Sequence, residues 1–145
     1  MNRPSVLVLS PDAEDYLPLL ADLADEGVEL TAAKSVDEAR TASKGQPVVL
    51  GEPDLVAALL DEMPDVRWVQ SSWAGVRPLL ELDRSDYLLT TIKDVFGPQM
   101  AEYVLGYLLV QEVRIFERLG RQAHRIWWPQ ASGTLRGKTL GIMGT

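Results

Sequence analysis

The sequence predicts an α/β protein built on an open, doubly wound parallel sheet of five strands. Short Val- and Leu-rich runs alternate with polar turns and apolar stripes at helical spacing, the signature of βα units. Gly and Pro punctuate this pattern at Gly27, Gly45, Pro47 and Pro53, where helices and turns are expected to start or stop. The 145 residues are 46% hydrophobic and 24% charged with no cysteine, so the core is expected to hold without disulfides.

Ser5 to Leu9 opens as a strand. Asp12 is placed to cap a helix whose buried face is expected to be Tyr16, Leu19, Leu20 and Leu23, and Gly27 ends it. Val28 to Ala32 is the second strand, Ser35 begins a short helix, and Val48 to Leu50 is the third strand. Pro53, suited to a first helical position, starts a helix carrying Val56, Leu59 and Leu60. Arg67 to Gln70 and Tyr87 to Thr91 complete the sheet, with a short helix around Pro78 to Leu82 between them. The strand order expected is the flavodoxin-like 2-1-3-4-5.

The texture then changes. Gly97-Pro98 begins a helix expected to run to about Gln122, long for so small a domain. It is apolar nearly all round through Met100, Val104, Leu105, Leu108 and Leu109, and such helices are normally buried. A spacer between two domains accounts for both properties. Trp127, Trp128 and Pro129 lead to Arg136-Gly137-Lys138 and a further strand, Thr139 to Met143, that ends in Gly144-Thr145. The expected division is 1–96, 97–130 and 131–145: a first domain, an interdomain helix with linker, and the start of a second, truncated domain.

Charge excludes some partners. A formal net charge of -7 without a Lys/Arg cluster lacks the footprint needed to neutralise nucleic-acid phosphates. With no cysteine and one histidine, His124, no metal site is expected. Tyr103 to Val110, the longest apolar run, is far short of the roughly 20 residues a membrane helix needs, so a cytoplasmic protein is expected.

In open α/β sheets ligands sit beyond the carboxyl ends of the strands. The informative loops are therefore Ser10 to Asp15, Gly51 to Asp54, Ser71 to Val76 and Ile92 to Val95. The first is acidic and would repel a flavin phosphate. A phosphate-accepting receiver domain would use Asp12, Ser71 or Ser72, and Lys93, but the third strand ends in Leu50-Gly51-Glu52-Pro53, without the aspartate such a domain phosphorylates. A non-enzymatic flavodoxin-like or receiver-like binding module is the alternative reading. In the loop Ser71-Ser72-Trp73-Ala74-Gly75-Val76 the small residues let a ligand approach the backbone, and successive N-H donors suit a carboxylate; a plain tight turn with Trp73 packed on the domain is the bland reading.

Three segments carry a resemblance: Arg67 to Val76 (RWVQSSWAGV), Val95 to Val104 (VFGPQMAEYV) and Leu135 to Thr145 (LRGKTLGIMGT). Together, in this order, they resemble the D-isomer-specific 2-hydroxyacid dehydrogenases, above all the glyoxylate/hydroxypyruvate reductases. The resemblance implies an NAD- or NADP-dependent enzyme whose flavodoxin-like substrate domain precedes a Rossmann domain. It implies that Trp73, Ala74, Gly75 and Val76 hold the carboxylate of a small 2-keto acid, that Met100 approaches the nicotinamide, and that Gly144 is the first glycine of the dinucleotide fingerprint. The family's catalytic Arg, His and carboxylate follow that fingerprint, so no catalytic residue is expected in this chain, no cofactor is expected to bind it tightly, and alone it is expected to be inactive. Arg114 and His124 precede the fingerprint and read as helix-surface or interface residues. Arg77, where the family commonly has an acidic or amide residue, reads as a solvated helix residue or a source of positive potential. Glu102 suits a first helical turn, and Trp127 and Trp128 read as packing anchors. Exposed apolar helix faces imply a homodimer or other self-association.

Overall fold

A computed structural model describes residues 3–143 and contains a five-stranded sheet of order β2-β1-β3-β4-β5, every neighbouring pair parallel. The strands are β1 (Ser5–Leu9), β2 (Glu29–Ala33), β3 (Val48–Gly51), β4 (Trp68–Ser71) and β5 (Leu88–Thr90). The helices are α1 (Ala13–Leu19), α2 (Ala21–Asp25), α3 (Val36–Ala42), α4 (Pro53–Leu59), α5 (Arg77–Leu80), α6 (Gly97–Val113) and α7 (Ile115–Ala123), with one 3-10 turn at Leu60–Glu62. The chain forms two compact units, Met1–Lys93 and Asp94–Thr145.

In the first unit β1 is central. Leu7, Val8 and Leu9 are all fully buried, and because successive strand residues face opposite sides, both faces of the sheet are covered there. Leu7 and Leu9 pack with Val49, Val56, Leu59, Leu60, Met63, Val66, Val69 and Leu79 in one apolar cluster. Gly51 is what lets β3 lie so close to β1: a Cβ there would stand 2.5 Å from the Leu9 carbonyl oxygen and 2.9 Å from Val56 Cγ2. The Ser35 hydroxyl accepts from the Glu38 amide at 3.2 Å and caps α3 as expected of such a residue. Arg84 fastens the 3-10 turn and the loop after it. Its guanidinium donates to the carbonyls of Leu60 at 2.5 Å, Met63 at 2.8 Å and Val66 at 3.2 Å, and to Asp86 at 2.6 Å.

Three local expectations are corrected in this unit. The single helix after β1 is two short ones meeting at Leu20, with Pro18 inside α1; proline has no N-H to give and disfavours the helical conformation of its predecessor. The buried face shifts accordingly, to Ala13 with partial cover for Tyr16, Leu17 and Leu20, while Leu19 is 80% exposed. Asp12 occupies the cap position without a side-chain bond, and its own amide donates to the Ser10 hydroxyl at 3.2 Å.

In the second unit the long helix is broken. Arg114 adopts the left-handed conformation, φ 56°, between α6 and α7. The break is held from outside the helix: Arg118 donates to the Val113 carbonyl at 2.8 Å, and also to the Gln130 carbonyl and the Ser132 hydroxyl. Arg114, Arg118 and Arg121 lie over the Trp128 ring, 5.7, 5.5 and 4.4 Å from its centroid. Gly133 donates to the Glu112 carbonyl at 2.9 Å, and Lys138 pairs with Glu112 at 3.1 Å. The apolar helix α6 has no buried residue, contrary to the burial its composition predicts. Thr139 to Met143 forms no strand; a strand needs a neighbour to take its hydrogen bonds, and these residues have none among those described.

Candidate functional site

The carboxyl ends of β1, β3 and β4 converge, and their register sets which loops meet. Leu9 pairs with Gly51 and Gly51 with Ser71, so the Ser10, Glu52 and Ser72 turns start level. The Glu52 amide donates to the Leu9 carbonyl at 3.0 Å and the Ser72 amide to the Gly51 carbonyl at 2.9 Å. At the β1/β3 boundary, where the strand order reverses and a crevice is expected, the Ser10 hydroxyl donates to Glu52 Oε1 at 3.1 Å and bridges the two loops. The open ground lies one strand further along, between the β3 and β4 loops.

The β4 loop is shaped by its own first residue. The fully buried Ser71 hydroxyl donates to the Trp73 carbonyl at 2.8 Å and accepts from the Trp73 amide at 3.0 Å. Behind it runs a relay across the sheet edge: Trp68 Nε1 donates to the Thr90 hydroxyl at 2.7 Å, Thr90 to Gln70 Oε1 at 2.6 Å, and Gln70 Nε2 to the Ser71 carbonyl at 2.9 Å. With Trp73 held in this way, the next three amides, those of Ala74, Gly75 and Val76, donate to no acceptor among the described residues. Unpaired amides in succession are the donors a carboxylate uses. Gly75 has open space where a Cβ would stand. Beside the loop is a cleft of about 110 Å³ lined by Glu52, Pro53, Asp54, Trp73, Gly75 and Pro78.

Trp73, Ala74 and Gly75 are exposed, Trp73 to 59%, while Val76 packs against the core cluster and anchors the loop's far end. Trp73 thus lines the cleft instead of packing on the domain. Arg77 is largely exposed and pairs with Glu81 at 2.6 Å one helical turn on, the solvated arrangement. Met100 lies in the first turn of α6 and is 64% exposed. Gly144 lies outside the described residues. The described part of the second unit contains no strand, glycine turn and helix in succession that would cradle a dinucleotide. Among the described residues no group of His, Cys, Asp or Glu is placed to hold a metal ion, and no helix is long and apolar enough to cross a membrane.

Two features were not singled out from the sequence. Ser71 as the latch of the loop has only a weak signal, a serine directly after a strand. Glu52 and Asp54 belong to a loop marked as informative, but their meeting with Trp73 depends on strand order. Hollows of about 320 and 570 Å³ around Arg40, Gln46 and Asp65, and around Arg3, Glu29 and Lys44, lie at the amino ends of the strands, away from where ligands bind this architecture.

No protein-family model matches the chain, and no curated protein matches it. Solved structures do. A D-isomer specific 2-hydroxyacid dehydrogenase family protein from Aeromonas salmonicida subsp. salmonicida superposes with a TM-score of 0.82 at 30% identity, over 94% of this chain and 44% of that one. An NADPH-dependent glyoxylate/hydroxypyruvate reductase from Sinorhizobium meliloti, solved with NADP and malonate, superposes with a TM-score of 0.56 at 22% identity, over 99% of this chain and 46% of that one. The second likeness is one of fold alone. This chain thus spans less than half the length of the proteins it resembles, and the likeness read from its three segments stands.

Proposed function

We propose that this chain, built like part of a D-isomer-specific 2-hydroxyacid dehydrogenase, is the substrate-binding portion of an NAD(P)-dependent oxidoreductase that reduces a small 2-keto acid of the glyoxylate or hydroxypyruvate type. The observation that carries the substrate-binding role is the run of unpaired amides from Ala74 to Val76 beside the Trp73 cleft. They are positioned by the backbone and the Ser71 latch, and so are organised before a ligand arrives, which lowers the ordering cost of binding. Fixed donors also align the acid at one end, as a following transfer to its carbonyl carbon requires.

In this reading 1–96 is the substrate domain, 97–130 links it to a second domain, and 131–145 begins the nucleotide-binding one. Met100 approaches the nicotinamide, and Gly144 takes part in holding the cofactor. The neighbours' chains are more than twice as long, and the remaining chemistry, an acid that protonates the carbonyl oxygen and a cation that orients it, is assigned to residues outside this chain.

Two measurements test this. In the ¹⁵N-labelled chain, glycolate is expected to shift the amide resonances of Ala74, Gly75 and Val76 ahead of all others; no shift, or shifts spread evenly over the surface, would overturn the site. With glyoxylate and NADH or NADPH the chain alone is expected to show no oxidation of the cofactor, and turnover by it would overturn the division of labour.

A further inference from the structure

Arg118, Arg121 and Arg125 follow one another at helical intervals, so the end of α7 gathers three charges that are spread out along the sequence. Together with Trp127 and Trp128 they line a hollow of about 420 Å³ whose lining includes no Asp or Glu. Two of the three heads are fixed before any ligand arrives. Arg118 is tied to the carbonyls of Val113 and Gln130 and to the Ser132 hydroxyl. Arg121 lies 4.4 Å from the Trp128 ring centroid and pairs with Glu117 at 3.1 Å, and its buried Nε has no acceptor among the described residues. The Nη1 groups of Arg118 and Arg121 likewise engage no acceptor among the described residues. Arg125 is exposed, and among the described residues only its backbone amide is engaged, by the Gln122 carbonyl at 2.9 Å.

Against these charges stand Glu117 and the carboxyl end of α7, which carries about half a negative charge. The last carbonyls of that helix are taken by the amides of His124, Arg125 and Ile126. The hollow is therefore positive, on a chain whose net charge is -7. Guanidinium groups present donors in a planar fork that matches phosphate oxygens, and two fixed ones lower the ordering cost of meeting a dianion. Trp127, 87% exposed, adds an apolar face to the same hollow. We propose that this hollow binds small organic phosphate monoesters, with Arg118, Arg121 and Arg125 sharing the phosphate and Trp127 covering the organic group. It belongs to the other compact unit from the Ala74–Val76 loop and does not depend on how that loop is read.

Phenyl phosphate carries both halves of such a ligand, and benzoate keeps the ring with a single charge. The ¹⁵N-labelled chain is titrated with each at constant ionic strength and about pH 8, where the phosphate is a dianion. Phenyl phosphate is expected to move the indole Nε1–H resonances of Trp127 and Trp128 saturably, with an affinity about tenfold above that of benzoate, the effect of one further charge at a screened surface site. Arg125→Asn removes a charge that no described side-chain contact uses, and asparagine tolerates the left-handed backbone of this position, φ 57°. It is expected to weaken phenyl phosphate binding about tenfold with the circular dichroism unchanged. Lys44→Ala, which takes a charge from the first unit, is expected to leave that affinity as it was. No saturable movement of either indole, equal affinities for the two probes, or equal losses in the two variants would overturn the site.

Discussion

Single side chains decide more of this structure than their frequency in the sequence implies, and Arg84 is the clearest case. Its stem and head are mostly covered, and its guanidinium gives a second, charged donor to the Leu60 and Met63 carbonyls and also reaches the Val66 carbonyl. Methionine at this position would fill the space but donate nothing. Arg84→Met is expected to lower stability by about 2–3 kcal/mol, the usual worth of bonds from a charged donor, as measured by urea unfolding. The same arginine acts on Asp86: a side-chain hydrogen bond from Arg84 holds that carboxyl below its ordinary value. A carboxyl with a depressed folded-state pKa stabilises the fold above its unfolded value of about 4, and that contribution is lost as pH falls through the depressed one. The stability difference between the unaltered chain and Asp86→Asn is thus expected to be small but present at pH 7 and to vanish in strong acid. A difference that grew on acidification would contradict the pairing. Asp86 is exposed, which keeps the effect small.

At the scale of elements, the contact of β1 with β3 is set by one position, whereas the turn between α6 and α7 is held by several. Gly51→Ala is expected to destabilise by about 1–3 kcal/mol in the same urea assay, because its methyl group meets the Leu9 backbone and cannot move it cheaply. Gly75→Ala meets nothing and is expected to stay within about 0.5 kcal/mol of the parent. Equal effects at the two glycines would show that the β1–β3 approach is looser than described. In the second unit Trp128 is the surface on which three arginines rest. Trp128→Ala is expected to free α7 and reduce helical circular dichroism, whereas Trp127→Ala, at a side chain 87% exposed, leaves it unchanged. The helices and strands themselves were largely legible in the sequence, since each is announced by a local period and by Gly, Ser or Pro at its ends. The break at Arg114 was not, because it depends on Arg118 reaching Gln130 and Ser132 and on an indole well along the chain.

For the whole molecule, the apolar helix α6 raises the question of association. Tyr103, Leu105 and Tyr107 are each at least half exposed and Leu109 nearly so, and exposed apolar side chains of this size favour association. Light scattering after size exclusion is expected to give a mass above the 16.0 kDa of one chain, rising with concentration. Leu105→Glu with Leu109→Glu is expected to return it to one chain. A strictly monomeric parent at high concentration would remove the case for self-association.

The sequence by itself determined the α/β class, the parallel order β2-β1-β3-β4-β5 and the family likeness, because βα periodicity is local and right-handed crossovers leave few topologies open. It also pointed to Trp73 through Val76, since small residues after a strand already imply accessible amides. Only the tertiary structure decided what gathers around that loop. The Ser71 latch closes on its own loop, Ser10 spans to Glu52, and Glu52 and Asp54 come to stand beside Trp73 through the register of β3 against β4. Those relations join residues distant along the chain, and no local period encodes them.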